Sequence, residues 1–109
     1  MKLGFIIFVI ATLSLAGCST AKQKTVQSDV ALPIAQRYSC MACHSVDRKI
    51  IGPSFHAISE KYRDQDVQQR LFNKVKYGGA GNWGTMPMPA MVNVPEADLK
   101  IVIQWITEL

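Results

Sequence analysis

Two cysteines and a histidine stand close together in the middle of the chain, and their spacing is that of a known chemical motif. The run Cys40-Met41-Ala42-Cys43-His44 has the pattern C-x-x-C-H, which is the attachment motif of c-type haem. Thiols at this spacing lie about one helical turn apart, so both can bond to the vinyl groups of one haem. The adjacent His44 can then reach the iron from the proximal side. The motif predicts covalent attachment of one haem at Cys40 and Cys43.

Other chemistries of a cysteine pair fit this sequence less well. A thioredoxin-like redox pair needs a βαβ context, and the sequence pattern offers none. A structural zinc site needs four ligands. Beyond the motif, the only other histidine is His56, and the third cysteine, Cys18, lies near the amino terminus. An ordinary C-x-x-C pair followed by a chance histidine is the remaining alternative.

A haem held by one histidine needs a second axial ligand, or its iron stays open. The candidate side chains are Met86, Met88, Met91 and His56. Most methionines simply fill cores, but Pro87 and Pro89 flank Met88 and fix the backbone φ on both sides. This constraint favours Met88. A bis-histidine site is less favoured, because His56 follows His44 by only 12 residues and falls in a short predicted helix.

The amino-terminal residues are far more apolar than the rest of the chain. Lys2 is followed by an apolar run, and 12 of the first 17 residues are hydrophobic. The run ends in Leu15-Ala16-Gly17-Cys18, which resembles the bacterial lipoprotein signal, so we expect a lipid on Cys18. An incidental thiol beside an ordinary cleavage site is the alternative. This interpretation divides the chain into a signal peptide (1–17), a lipidated flexible tether (18–28) and a folded domain (29–109).

The charge and size of the predicted domain restrict what it can do. The whole chain has a formal net charge of +4, but residues 29–109 carry nine cations and eight anions. A domain this balanced has no electrostatic reason to bind nucleic acid. Its 81 residues bury only a marginal core, and two cysteines exclude a disulfide framework. A covalently bound haem would supply the missing core.

The elements that must position these residues are short helices. Apolar spacing and punctuating residues predict four of them, and no strand pattern of any length is present. The glycines and prolines of residues 78–91 predict an extended loop that carries Met88. The first predicted helix covers residues 29–42, with its start restricted to about Leu32 by Pro33. The second covers residues 54–62, and the third covers residues 66–77 with Asp66 as the N-cap. The last helix starts at about Pro95, and its buried stripe consists of Leu99, Val102, Ile103, Trp105 and Ile106.

Taken in order, these motifs resemble the small bacterial monohaem class I cytochromes c of the short Met/His-ligated type. The resemblance covers essentially all of residues 29–109. It implies an all-α fold with about four short helices wrapped around one covalently bound haem c. The segments that carry it are Cys40–His44, Gly52-Pro53, Trp83-Gly84, Met86-Pro87-Met88-Pro89 and the closing helix with Trp105.

The resemblance also implies roles for particular residues. His44 is the proximal iron ligand and Met88 the distal one, while the carbonyl of Pro53 accepts a hydrogen bond from Nδ1 of His44. One segment departs from the family: Ala90-Met91 stands where its members often have Pro-Asn, with the amide near the ligand sulfur. The residues that the resemblance places beside a haem propionate are Trp83 and Lys74.

Both axial positions are filled in such a site, so it can exchange single electrons but offers no position for oxygen, peroxide or substrate. With Cys18, this predicts a monomeric one-electron carrier rather than an enzyme. It would be lipid-anchored on the periplasmic side, at the inner or the outer membrane, in a respiratory chain. Redox partner proteins would dock weakly at the exposed haem edge. Two alternatives stay open: a fixed electron-entry subunit of a larger membrane complex, and a haem sensor or peroxidase whose Met88 dissociates.

Overall fold

The computed structural model describes the backbone of residues 20–109 and the side chains from residue 27 onward. The predicted signal peptide and Cys18 lie outside the described residues. The described part is mostly helical, in agreement with the predicted fold class, and it also contains a small sheet. None of its helices is both long and apolar enough to cross a bilayer. The elements are α1 (Thr20–Arg37), a 3-10 turn (Cys40–Ala42), α2 (Phe55–Lys61), α3 (Gln68–Tyr77), β1 (Gly79–Gly81), β2 (Gly84–Met88) and α4 (Glu96–Thr107).

Helix α1 differs from the prediction at both of its ends. Its backbone is helical from Thr20, so helix also covers part of the segment interpreted as a flexible tether. Pro33 lies inside α1 rather than near its start, because buried Ala31 and Ala35 hold that face of the helix against the core. Here tertiary packing outweighs the preference of proline for helix starts. The helix ends at Arg37 rather than continuing to residue 42.

Helix α4 is the centre of the packing, and α1, α2 and α3 all contact it. Its predicted inner stripe is confirmed: every member of the stripe is buried. Pro95 precedes the helix in an extended conformation and serves as its N-cap, and Glu96 and Asp98 lie in the first turn, where the helix dipole favours anions. Two apolar clusters meet on this helix, one shared with α1 and Phe55 and the other shared with α3.

The shorter helices agree with the prediction except at one cap. Helix α2 begins where expected, because the Ser54 hydroxyl accepts a hydrogen bond from the amide of Ala57 at 3.1 Å. The predicted N-cap of α3, Asp66, is wrong: Val67 occupies that position and no side chain caps the helix. Val67 is 4% exposed, so burial of this valine, rather than a capping carboxylate, positions the start of α3.

The predicted extended loop contains two short antiparallel strands, which is a correction to the expectation that the chain has no strand. β1 pairs with β2, with Gly79 opposite Met88 and Gly81 opposite Gly84. The strands escaped the sequence pattern because the residues of this hairpin are nearly all exposed, so they show no apolar alternation. The positive φ angles of its glycines allow the tight path of the hairpin.

Trp105 gives a direct test of the packing between the two ends of the domain. Its indole N–H donates to the hydroxyl of Ser28 at 3.0 Å, and its ring packs edge-on against Phe55. Trp105→Phe removes that donor and leaves a void, so we expect the free energy of unfolding to fall by about 1–3 kcal/mol. Guanidinium unfolding measures the change, with exposed Gln104→Ala as the control. A loss equal to that of the control would contradict this packing.

Candidate haem site

An open cleft lies between α2, α3, α4 and the hairpin, and its lining is largely apolar. The structure brings together at this cleft every predicted haem-site residue that it describes. They come from segments far apart in sequence: Cys40, Cys43, His44, Pro53, Lys74, Trp83 and Met88.

The two cysteines are positioned by the short turn that follows α1. Ser39 takes a left-handed conformation with φ of 61°, which ends the helical path and starts the 3-10 turn. The carbonyl of Cys40 accepts hydrogen bonds from the amides of Cys43 at 3.3 Å and His44 at 3.0 Å. Both thiols are half-buried and free of disulfide bonds. Burial raises the pKa of the Cys40 thiol above its ordinary value.

The imidazole of His44 is oriented by a backbone carbonyl. Its Nδ1 lies 2.7 Å from the carbonyl oxygen of Pro53. A carbonyl oxygen only accepts hydrogen bonds, so Nδ1 carries the proton and donates. The other ring nitrogen, Nε2, is then the unprotonated one and can bind a metal. The hydrogen bond that the family resemblance implies between these two residues is present.

Gly52 and Phe55 also confine the His44 ring. The phenyl ring of Phe55 stacks on the imidazole, with ring centroids 5.4 Å apart and an interplanar angle of 20°. A Cβ atom built on Gly52 would lie 2.6 Å from Cε1 of His44 and 2.9 Å from Nδ1. No side chain larger than hydrogen fits at position 52 without moving the ring. The sequence resemblance includes Gly52 without giving it a role, so its close approach to His44 becomes visible only in three dimensions.

Met88 lies at the end of β2, and the backbone around it packs against the end of α3 and is hydrogen-bonded to it. Met88 is half-buried, whereas Met86 is 67% exposed. A Cβ atom on Gly78 would lie 2.5 Å from the carbonyl oxygen of Met88 and 2.8 Å from the amide of Ala90. The amide of Met91 also donates to the carbonyl of Val75 at 2.8 Å. The segment that carries Met88 therefore packs closely on α3.

The two remaining predicted residues, Lys74 and Trp83, line the cleft on its hairpin side. Lys74 is half-buried in the last turn of α3, and a Cβ on Gly79 would lie 3.3 Å from its ammonium nitrogen. Trp83 is 41% exposed. The ammonium nitrogen of Lys61, a residue that the sequence left unnoticed, lies 4.3 Å from the centroid of the Trp83 ring.

His56 and Met91 are not placed as iron ligands. His56 does not line the cleft; its Nε2 lies 3.3 Å from a carboxylate oxygen of Asp47 on the surface. The side chain of Met91 packs against the apolar cluster of Val94, Leu99 and Ile103. Among residues 20–109, no three His, Cys, Asp or Glu side chains come together as a metal site, so the zinc alternative has no support there.

The residues at the cleft fit a covalently bound haem. Its apolar lining suits the faces of a porphyrin, and both cysteines of the C-x-x-C-H motif line it. The imidazole already has the tautomer that leaves Nε2 free, and a thioether lines the same cleft. The glycines at positions 52 and 78 have no side chain that would displace either candidate ligand.

Comparisons with known proteins agree with this geometry. The chain matches the family model for cytochrome c over residues 34–109. It is 47% identical over 79 residues to cytochrome c-551 of Allochromatium vinosum, covering 72% of this chain and 84% of that protein. Cytochrome c-552 of Hydrogenobacter thermophilus is 34% identical over 102 residues, covering 93% of this chain and 94% of that protein.

A solved structure has the same fold. The crystal structure of cytochrome c552 from Nitrosomonas europaea superposes with a TM-score of 0.68 at 42% identity, covering 72% of this chain and 98% of that one. This protein therefore belongs to the cytochrome c family, whose small members carry one covalently attached haem c and transfer electrons rather than catalyse a reaction.

Proposed function

We propose that this protein is a one-electron carrier on the periplasmic side of a bacterial envelope, tethered to a membrane by lipid on Cys18 and serving a respiratory chain. The observation that carries the electron-transfer part is the shared cleft: two thiols, an oriented imidazole and the thioethers of Met86 and Met88 line one apolar space, and Met88 is the more buried of the two methionines. Filling both axial positions with protein side chains favours transfer of electrons over binding of substrate.

The proposed attachment uses the four side chains directly. The thiols of Cys40 and Cys43 would hold the haem by adding across its two vinyl groups, with a carbon–sulfur bond formed and the thiol hydrogen transferred to the neighbouring carbon in each case. Nε2 of His44 and the sulfur of Met88 would bind its iron. When bound, the haem supplies a one-electron couple between ferrous and ferric iron. The thioether of Met88 favours the ferrous form and so raises the reduction potential relative to a bis-histidine site.

The surrounding residues tune the same site. The carbonyl oxygen of Pro53 accepts a hydrogen bond from Nδ1 of His44 at 2.7 Å, which fixes the ring and raises its basicity as a ligand. Trp83 and Lys74, on the hairpin side of the cleft, are proposed to hold a haem propionate. The apolar lining excludes water, which disfavours the more highly charged ferric state and raises the potential further.

The anchor proposal is supported by sequence alone. Small residues precede Cys18 where the apolar run ends, which is the pattern of a lipoprotein signal. Two or three acyl chains hold a protein stably at a membrane, whereas one chain holds it only marginally. The nearly neutral domain gives no strong steering toward one partner, so redox partners are proposed to dock weakly and briefly at the exposed haem edge of a monomer.

The Met88→Ala variant tests the ligand assignment. The oxidised wild-type protein is expected to have the weak absorption band of a sulfur–ferric bond, and the reduced protein should not bind carbon monoxide readily. Met88→Ala should lose the band, bind carbon monoxide and have a lower midpoint potential, because a ligand that favours ferrous iron is gone. Met86→Ala, at the exposed methionine two residues earlier, is the matched control and should keep the band.

The outcomes also separate the alternatives. If the wild-type protein lacks the sulfur band or binds carbon monoxide readily, the site opens, and the sensor or peroxidase hypothesis replaces the carrier. For the anchor, Cys18→Ala should move the protein from the membrane fraction to the soluble fraction. A Cys18→Ala protein that stays with the membrane is held by something other than lipid on that cysteine, as expected of a fixed subunit of a larger complex.

A further inference from the structure

We propose that Lys61 is a positioning residue that holds Trp83 against the haem cleft and places a positive charge at that edge of the site. The ammonium group of Lys61 makes two contacts with the tip of the hairpin. It lies 4.3 Å from the centroid of the Trp83 ring, and it donates a hydrogen bond to the carbonyl of Asn82 at 2.5 Å. This inference rests on the proposed haem site.

The hairpin tip needs such a contact because few neighbouring atoms pack against its glycines. Gly81 and Gly84 flank Asn82 and Trp83, and both have positive φ angles, of 108° and 103°. A Cβ atom at either glycine would meet nothing within 4 Å, so the tip is not packed at these points. Glycine at two such positions leaves the backbone with more freedom than any other residue would. Contacts from outside the hairpin must therefore restrict the indole.

Lys61 is well placed to provide this restriction. It lies in the last turn of α2, a helix that packs on α4 and so belongs to the rigid part of the domain. A cation over a tryptophan face attracts the ring even at an exposed site. A hydrogen bond from a charged donor is stronger than one between neutral groups. Together these contacts link the Trp83 indole to helix α2.

The charge of Lys61 has a second consequence for the site. Trp83 and Lys74 both line the cleft, so the ammonium group of Lys61 beside the Trp83 ring adds a cation near that edge. A nearby positive charge disfavours ferric haem, which carries one more positive charge than ferrous haem. Lys61 is exposed, so salt screens this effect. The midpoint potential should therefore depend on the charge of residue 61 and on the ionic strength.

Three variants of the haem-loaded protein test the proposal. Lys61→Met keeps the length of the side chain and removes its charge, Lys61→Arg keeps a cation that stacks on tryptophan, and Lys100→Met makes the same charge change on the exposed face of α4. The primary measurement is hydrogen exchange of the Trp83 indole N–H. The indole of Trp105, which is buried and bonded to Ser28, reports global opening in the same spectrum.

We expect Lys61→Met to speed exchange at Trp83 at least tenfold while leaving Trp105 unchanged. Lys61→Met should also lower the midpoint potential and weaken the dependence of that potential on salt. Lys61→Arg should keep both the potential and its salt dependence close to those of the wild-type protein. The proposal is overturned if Lys61→Met behaves like Lys100→Met, or if exchange at Trp105 accelerates equally. The sulfur–ferric band is measured in each variant. If the proposed haem site is wrong, the wild-type protein lacks the band. If only the role of Lys61 is wrong, the band is present.

Discussion

Gly52→Ala is expected to displace the imidazole of His44 and to lower the free energy of unfolding by about 2–4 kcal/mol. The added Cβ would stand 2.6 Å from Cε1 and 2.9 Å from Nδ1, closer than nonbonded carbon and nitrogen atoms approach. Phe55 stacks on the ring and restricts its movement. The hydrogen bond from Nδ1 to the carbonyl of Pro53 must therefore lengthen or break.

Two measurements separate this effect from a general loss of stability. Guanidinium unfolding gives the free energy, and the proton resonance of the His44 Nδ1–H reports whether the bond to Pro53 survives. We expect that resonance to shift or disappear, and the midpoint potential to change with it. Ile50→Ala alters an exposed side chain of the same loop and is the control. An unchanged Nδ1–H signal in Gly52→Ala would contradict the close packing of Gly52 on the ring.

Gly78→Ala is expected to have the larger effect, because two separate costs fall on one residue. Gly78 has φ of 71° and ψ of −158°, a backbone region that residues with a side chain essentially never adopt. Its Cβ would also stand 2.5 Å from the carbonyl oxygen of Met88 and 2.8 Å from the amide of Ala90. Strain and overpacking together should cost about 2–6 kcal/mol.

The overpacking against residues 88–90 should also affect the proposed iron ligand, Met88. If the clash is relieved by a shift of residues 88–90, the sulfur of Met88 moves and the sulfur–ferric band weakens or disappears. Gly81→Ala is a matched control: its φ is also positive, at 108°, but its Cβ would meet nothing within 4 Å. That variant should lose stability by about 1–3 kcal/mol from backbone strain and keep the band. Equal effects at the two glycines would show that the contact with Met88 does not matter.

These two glycines share a physical role. Each lets the backbone approach closely behind a proposed iron ligand, Gly52 behind His44 and Gly78 behind Met88. Absence of a side chain permits each close approach, which a Cβ atom would prevent. The chain therefore packs closely around both proposed ligands.

Met91 illustrates how a sequence difference acquires meaning from its surroundings. In its place the family often has asparagine, whose amide lies near the ligand sulfur. In this chain the Met91 side chain packs into the apolar cluster with Leu99 and Ile103, and its amide donates to Val75. A thioether cannot donate a hydrogen bond, so position 91 stabilises the Met88 segment through packing and backbone bonding.

Spacing along the chain was sufficient to predict two things: the chemistry of the C-x-x-C-H motif, and the presence of the helices. Cys40, Cys43 and His44 are neighbours, so their relation is local and readable without a fold. The inner stripe of α4 follows from helical periodicity, because burial of one face imposes that period. The choice of Met88 among the methionines followed from its two flanking prolines, which is again a local constraint, and it remains a proposal.

The tertiary structure alone decided the features that depend on contacts between distant segments. Pro33 lies inside α1 because buried alanines hold the helix to the core, and Val67 begins α3 because burial replaces a cap. The hairpin is exposed on both faces, so no apolar period could reveal it. The close approaches of Gly52 and Gly78 and the contact of Lys61 with Trp83 join residues across the fold. Local propensity carries no record of such contacts, because their geometry arises only when the elements pack.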